Sequence, residues 1–98
     1  MKKEPCVYMM ASGRNGTLYV GVTSNLVKRL WEHQNDVVDG FSKQYRIHTL
    51  VWYEQHLTME SAIIRETQLK KWNRMWKLRE IELMNPEWRD LSEEIIGC

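Results

Sequence analysis

Within the stretch Cys6 to Gly21, CVYMMASGRNGTLYVG, two short apolar runs flank a polar break made of Gly13, Arg14, Asn15 and Gly16. Strand-forming residues on either side of a break that can supply φ > 0 positions predict a β-hairpin. With the turn centred between Gly13 and Arg14, Val7 opposes Val20, Met9 opposes Leu18 and Tyr8 opposes Tyr19. Directly opposed residues share a face. The valines, Met9 and Leu18 then line the buried side, and the two tyrosines sit together on the other. As half-buried strand aromatics, Tyr8 and Tyr19 need no role beyond packing.

The period then changes. Thr23, Ser24 and Asn25 offer capping side chains, and Leu26, Val27, Leu30 and Trp31 form the apolar stripe of a helix running from about Asn25 to Asn35. Asp36 to Arg46 reads as a loop carrying Lys43, Tyr45 and Arg46, and Ile47 to Tyr53 reads as a third strand. Thr58 can cap a second helix beginning near Met59, with Met59, Ala62, Ile63, Leu69 and Trp72 recurring at the helical period. Helical character continues from Trp72 to Met84 with a bend near Asn73, and Trp72 and Trp76, one turn apart, are read as core. Asn85-Pro86 ends this helix, because proline disfavours α conformation in the residue before it. The tail Glu87 to Cys98 is expected to pack a short helix or turn against the domain through Trp88, Leu91, Ile95 and Ile96. The expected architecture is one α/β domain over residues 1–98, a small three-stranded, mainly antiparallel sheet flanked by helices.

Three side chains stand out against this pattern. Arg29 and His33 are four apart and so neighbours on one helix face. Taken singly, each reads as an ordinary exposed side chain, as His48 reads as a polar face residue of the third strand. Glu66 is different, because it falls inside an apolar stripe, four after Ala62 and three before Leu69. Burying a carboxylate costs several kcal/mol unless it is paired or bound to a metal. Glu66 therefore needs a metal ion, an ion pair with Arg65 or Lys70, or a route out to solvent.

A hydrophobic content of 43% with five tryptophans in 98 residues supports one modest core. The longest apolar runs fall far below the roughly 18 to 20 residues that span a bilayer, and the first apolar stretch is too short and too broken for a signal peptide. A soluble, cytoplasmic, monomeric protein without a membrane partner is expected. Cys6 and Cys98 make neither a disulfide framework nor a metal-ligand spacing, so both are read as reduced thiols. The formal net charge of +1 hides a segregation: Arg65 to Arg79 holds six basic residues against Glu66 alone, and Glu80 to Cys98 holds six acids against Arg89. A basic block suits an anionic partner such as nucleic acid, or it is a solvated helix face neutralised by the acidic end.

Taken together, these residues resemble the GIY-YIG nucleases. The first motif of that family is similar to Cys6-Val7-Tyr8 and the second to Tyr19-Val20-Gly21, with ten residues between the two tyrosines. Arg29 and His33 stand where the first helix of the family carries its arginine and histidine, and Glu66 stands where a later helix carries its metal-binding glutamate. Cys6 departs from the glycine of the first motif, and Val7 and Val20 from isoleucines. The resemblance covers nearly the whole chain and matches the small single-domain bacterial type.

The resemblance implies a DNA endonuclease or nickase dependent on Mg²⁺ or Mn²⁺, with a place in DNA repair or recombination. It casts Tyr8 as general base or relay, Tyr19 as a positioner of water or phosphate, Arg29 as the phosphate clamp, His33 as proton shuttle and Glu66 as metal ligand. Substrate contacts are expected from Lys43, Lys70, Lys71 and Arg74, and from a late asparagine, either Asn85 or Asn73. A non-catalytic or weakly catalytic nucleic-acid-binding module of the same fold, and a protein-interaction domain using exposed tryptophans, are the competing readings. The site is expected on the tyrosine face of the hairpin, where Arg29, His33 and Glu66 converge.

Overall fold

The computed structural model describes residues 4–35 and 45–96, so Lys43 lies outside the described residues. Strands β1 (Cys6–Ala11), β2 (Leu18–Thr23) and β3 (Thr49–Gln55) form an antiparallel sheet in the order β2-β1-β3. Helix α1 (Leu26–Gln34) follows the hairpin, and α2 (Met59–Lys71), α3 (Arg74–Met84) and the short α4 (Ser92–Ile96) follow β3. None of these helices is long and apolar enough to cross a membrane.

The central strand β1 is buried along its whole length because helices cover both faces of the sheet. On one face Val7, Met9 and Ala11 meet Ala62 and Leu69 of α2, Ile81 of α3 and the ring of Trp88. On the other, Tyr8 and Met10 meet Leu30 of α1 together with Leu50 and Leu91, and Tyr19, Tyr53 and Ile95 pack at the margin. The alternation of β1 therefore sorts its side chains between two cores rather than between core and water.

The hairpin register differs from the expected one. Tyr8 pairs with Gly21, Met9 with Val20 and Met10 with Tyr19. The loop is longer than a two-residue turn: the Ser12 N–H donates to the Thr17 carbonyl, the Thr17 N–H to Ser12 Oγ, and the Gly16 N–H to the Gly13 carbonyl. A shift of two in the pairing leaves every side chain on its original face, so the predicted faces survive while Tyr8 and Tyr19 become diagonal neighbours. The left-handed residue of the turn is Asn15, at φ 56°, a conformation asparagine tolerates through its short polar side chain.

Local chemistry sets the helix ends. Asn25 Oδ1 accepts from the Lys28 N–H to start α1, Thr58 Oγ1 accepts from the Ser61 N–H to start α2, and Asn73 Oδ1 accepts from the Trp76 N–H to start α3. The expected bend near Asn73 is thus a full break, with Trp72 capping α2 in extended conformation. The third strand begins and ends two residues later than predicted, and Ile47 is buried just before it. On α2 the buried line is Ala62 and Leu69, whereas Met59 and Ile63 are exposed and correct the predicted stripe. Trp76 is also half exposed, its ring set edge-on to Trp72, so it is not the core residue its spacing suggested.

The tail closes the edge of β3. A register shift between Met9 and Met10 marks a bulge at Val51, which weakens the ladder there. The Leu91 N–H donates to the Leu50 carbonyl, and Asp90 Oδ1 accepts from the Leu50 N–H. Asn85, buried at the end of α3, donates its amide to the Val51 and Arg89 carbonyls and accepts from the Arg89 N–H. Its role is to lock the tail, which corrects the expected phosphate contact, because a buried amide with its donors and acceptor engaged has nothing left to offer a ligand. Asn85→Ala should lower unfolding stability by about 2 to 3 kcal/mol through lost and orphaned hydrogen bonds. Urea denaturation reads this directly, and an unchanged midpoint would return Asn85 to the list of free polar groups.

Candidate active site

Tyr8 lies mid-strand in β1, paired with Gly21 on one side and Tyr53 on the other. Its ring covers Gly21: a Cβ at that position would sit 2.5 Å from both Cζ and the hydroxyl oxygen of Tyr8 and 2.9 Å from a ring carbon of Tyr19. Any side chain at 21 would evict the tyrosine. In the sequence the signal for this contact is a glycine inside a strand, which marks a close approach.

Tyr8, Tyr19 and His33 form one aromatic cluster, with centroids 6.2 Å apart for the two tyrosines, 5.7 Å for Tyr8 and His33 and 5.1 Å for Tyr19 and His33. Helix α1 delivers His33 from its last turn, fully buried, and its Nε2 lies 3.1 Å from the Tyr8 hydroxyl. This corrects the reading of His33 as an exposed imidazole. The helix stripe that buries Leu30 carries His33 inward as well. Tyr8 is buried and Tyr19 only partly so, which makes Tyr19 the phenol nearer to solvent.

Burial drives the protonation of this pair in opposite directions. The Tyr8 hydroxyl is pushed far above its ordinary value by desolvation, then by Tyr19, with the Arg29 charge opposing and the Glu66 charge adding to the rise. His33 is held down to about 4 by desolvation and then by Arg29, with Glu32 opposing and His48 adding to the fall. Cys6, on the same strand, is pushed up to about 11, chiefly by burial. A thiol so fully protonated is inert, consistent with a packing role for the residue that departs from the motif glycine.

Two charged groups border the cluster. Arg29 is partly exposed, its Nε 3.4 Å from Glu32 Oε1. Glu66 comes from α2, on the other face of the sheet, yet its charge is felt at the Tyr8 phenol. Its side chain is 16% exposed and Oε2 lies 3.3 Å from Lys70 Nζ, so the carboxylate is largely shielded and paired along its own helix. Tyr8, Tyr19, Arg29, His33 and Glu66 therefore form one electrostatic neighbourhood.

Part of the basic block is engaged within the fold. Arg65 bridges Glu54 at 3.1 Å and Glu80 at 3.5 Å while its guanidinium stacks over Trp52 and Trp72. Arg74 donates to the carbonyls of Asn15 and Gly16 at 2.7 Å each, tying α3 to the hairpin turn. Arg74, expected as a substrate contact, thus also clamps α3 to the turn. Lys70 pairs with Glu66, Lys71 remains exposed, and the rival asparagine, Asn73, is the α3 cap.

The buried imidazole predicts a specific acid sensitivity. The folded value of about 4 lies below the ordinary 6.5, so between those limits the unfolded chain binds more protons than the folded one. The stabilisation from neutral His33 is complete above pH 6.5 and drains as pH falls toward 4. It amounts to about 3 kcal/mol from the free energy per pKa unit. Urea unfolding of wild type and His33→Gln between pH 7 and pH 4 should show the wild type losing more by about that amount. Parallel losses would refute the buried neutral imidazole.

Comparison with known proteins places this geometry. The family model described as the GIY-YIG catalytic domain matches residues 4–79. A UPF0213 protein of Syntrophus aciditrophicus is 39% identical over 72 residues, covering 72% of this chain and 82% of that relative. A UPF0213 protein of Bacillus pumilus is 30% identical over 87 residues, covering 89% of each. The solution NMR structure of a UPF0213 protein from Bacillus halodurans has the same fold, with a TM-score of 0.57 at 18% identity over 95% of this chain and 98% of that one. The chain belongs to the GIY-YIG nuclease superfamily, among the small single-domain UPF0213 proteins.

Proposed function

We propose that this protein is a divalent-metal-dependent DNA endonuclease or nickase, with Glu66 as the metal ligand. The observation that supports this most is the buried hydrogen bond from Tyr8 to a neutral His33, set between the charges of Arg29 and Glu66. Among the described residues no group of three or more His, Cys, Asp or Glu side chains comes together. A cation at Glu66 would thus have one hard carboxylate oxygen and otherwise water and phosphate, which fits Mg²⁺ or Mn²⁺ and not a nitrogen- and sulfur-seeking ion. When bound, the ion would supply charge stabilisation to the phosphate and the departing oxygen.

The chain's own residues supply the rest. The Arg29 guanidinium, loosely held by Glu32, is available to grip the scissile phosphate and neutralise its developing charge. Tyr8 is protonated near neutrality, so it serves as a relay rather than as a standing base. As water attacks phosphorus, its proton moves to the Tyr8 oxygen while the Tyr8 proton moves to His33 Nε2. The phosphorus–oxygen bond to the sugar breaks and the leaving oxygen takes up a proton from solvent water. His33 is a weak store for the proton it receives from Tyr8, so that proton returns through Tyr8 to solvent once the bond has broken. Tyr19, nearer solvent, positions the water or a phosphate oxygen against this pair.

Supercoiled plasmid incubated with Mg²⁺ or Mn²⁺ should be nicked, and Glu66→Gln and Tyr8→Phe should each reduce the rate by roughly a hundredfold or more, the usual scale for losing charge stabilisation or proton transfer. Cleavage undiminished in both variants would sink the proposal. The Lys70 ammonium also competes for the Glu66 carboxylate. Lys70→Met should tighten Mn²⁺ binding roughly two- to fivefold, in line with a partly exposed i,i+4 pair, as read by electron paramagnetic resonance titration. Equal affinity would mean that the pair is not in competition with the ion.

A further inference from the structure

A cavity of about 290 Å³ opens on the tyrosine-bearing face of the sheet, between the start of α1 and the short α4. The pair Cys6 and Gln55 stands two residues from the pair Tyr8 and Tyr53, so these side chains share a face and the two pairs lie about 7 Å apart along the strands. Leu26, Val27 and Ile95 give the cavity apolar walls, Tyr53 adds an aromatic one, and Cys6 lies buried beneath. Small-molecule sites run from roughly 300 to 1,000 Å³, so this space suits a single ring system.

The polar side of the cavity is an acceptor. Gln55 Nε2 donates to Glu4 Oε2 at 2.8 Å, and among the described residues no other side-chain donor reaches that carboxylate. Gln55 thus holds the group in place while taking one of its roughly four acceptor positions. Glu4 is the one charged residue among the described residues lining the cavity, and its charge is felt at the Cys6 thiol beneath. A lone carboxylate repels phosphate and favours a ligand that brings N–H donors.

We infer that this cavity binds an unpaired guanine base. Guanine is the one standard nucleobase with two adjacent donors on its pairing edge, N1–H and the 2-amino group, and such a pair engages a carboxylate bidentately. Tyr53 and the aliphatic walls supply contact for the ring. The pairing edge is free only in a base that is unpaired or flipped out of a duplex. Leu26 is one turn of α1 from Arg29, so a strand that places its base here keeps its phosphate near the guanidinium. The link to strand scission rests on the nuclease reading, whereas the binding of the base does not.

Guanosine carries the base without a phosphate. By isothermal titration calorimetry without metal, it should bind the wild-type chain and Glu66→Gln equally. Inosine, which lacks the 2-amino group, should bind roughly tenfold more weakly, and Glu4→Gln should weaken guanosine to a similar degree, the scale of one hydrogen bond to a charged group. Val27→Trp, a large ring at an exposed wall position, should abolish binding while circular dichroism shows the fold intact. Absence of guanosine binding, or binding that survives both Glu4→Gln and Val27→Trp, overturns the inference. So does adenosine or methylguanidine bound as tightly as guanosine, since the cavity would then read stacking alone or a cation. Plasmid nicking together with any of these results leaves the nuclease reading standing and removes only the guanine site.

Discussion

The hydrogen bond between Tyr8 and His33 is the constraint on which this molecule turns. It joins the central strand to the first helix inside the core, at a place where neither partner can fall back on water. A buried polar group left unpaired costs of order 1 to 3 kcal/mol, so the two side chains help Leu30 fix the position of α1 on the sheet. Gly21 makes the arrangement possible by leaving room for the ring. The aromatic geometry of the site is therefore a product of the core rather than an ornament on its surface.

One physical cause, removal from water, acts on both partners with opposite signs. It raises the acid and weakens the base, and so holds the pair as a neutral phenol and a neutral imidazole across the ordinary pH range. The pair is thereby joined by a hydrogen bond between two neutral groups, with no charge buried at that point of the core. The charged groups stand at the border instead, Arg29 toward solvent and Glu66 reaching in from the far side of the sheet. The buried neutral pair and the charged groups are thus kept apart within one neighbourhood.

Much of this was legible in the sequence because the signals were local. The hairpin, the caps at Asn25 and Thr58, the stop at Asn85-Pro86 and the three-stranded antiparallel sheet follow from period and turn chemistry. The conjunction of Tyr8, Tyr19, Arg29, His33 and Glu66 was legible from their resemblance to a family. What escaped was tertiary. The loop gained residues and moved the register by two, which no strand periodicity reveals. His33 sank into the core because the same turn of α1 that buries Leu30 also carries it inward. Arg65 and Arg74 looked like free charge in a linear count, but one is held between two tryptophans and two carboxylates and the other by backbone carbonyls. Asn85 was assigned to a phosphate by analogy, whereas the bulged edge of β3 claims its amide.

Cys6 gives the fold an internal clock. Its thiol is two residues from Tyr8 on the same strand, buried and held almost wholly protonated. A thiol reacts as its thiolate, so an alkylating reagent can reach this one only when β1 leaves its place between the two cores. The rate of its modification would then measure how often the strand that carries the site opens. The substitution that sets this chain apart from the motif glycine thereby makes the stability of the strand that carries the candidate site chemically visible.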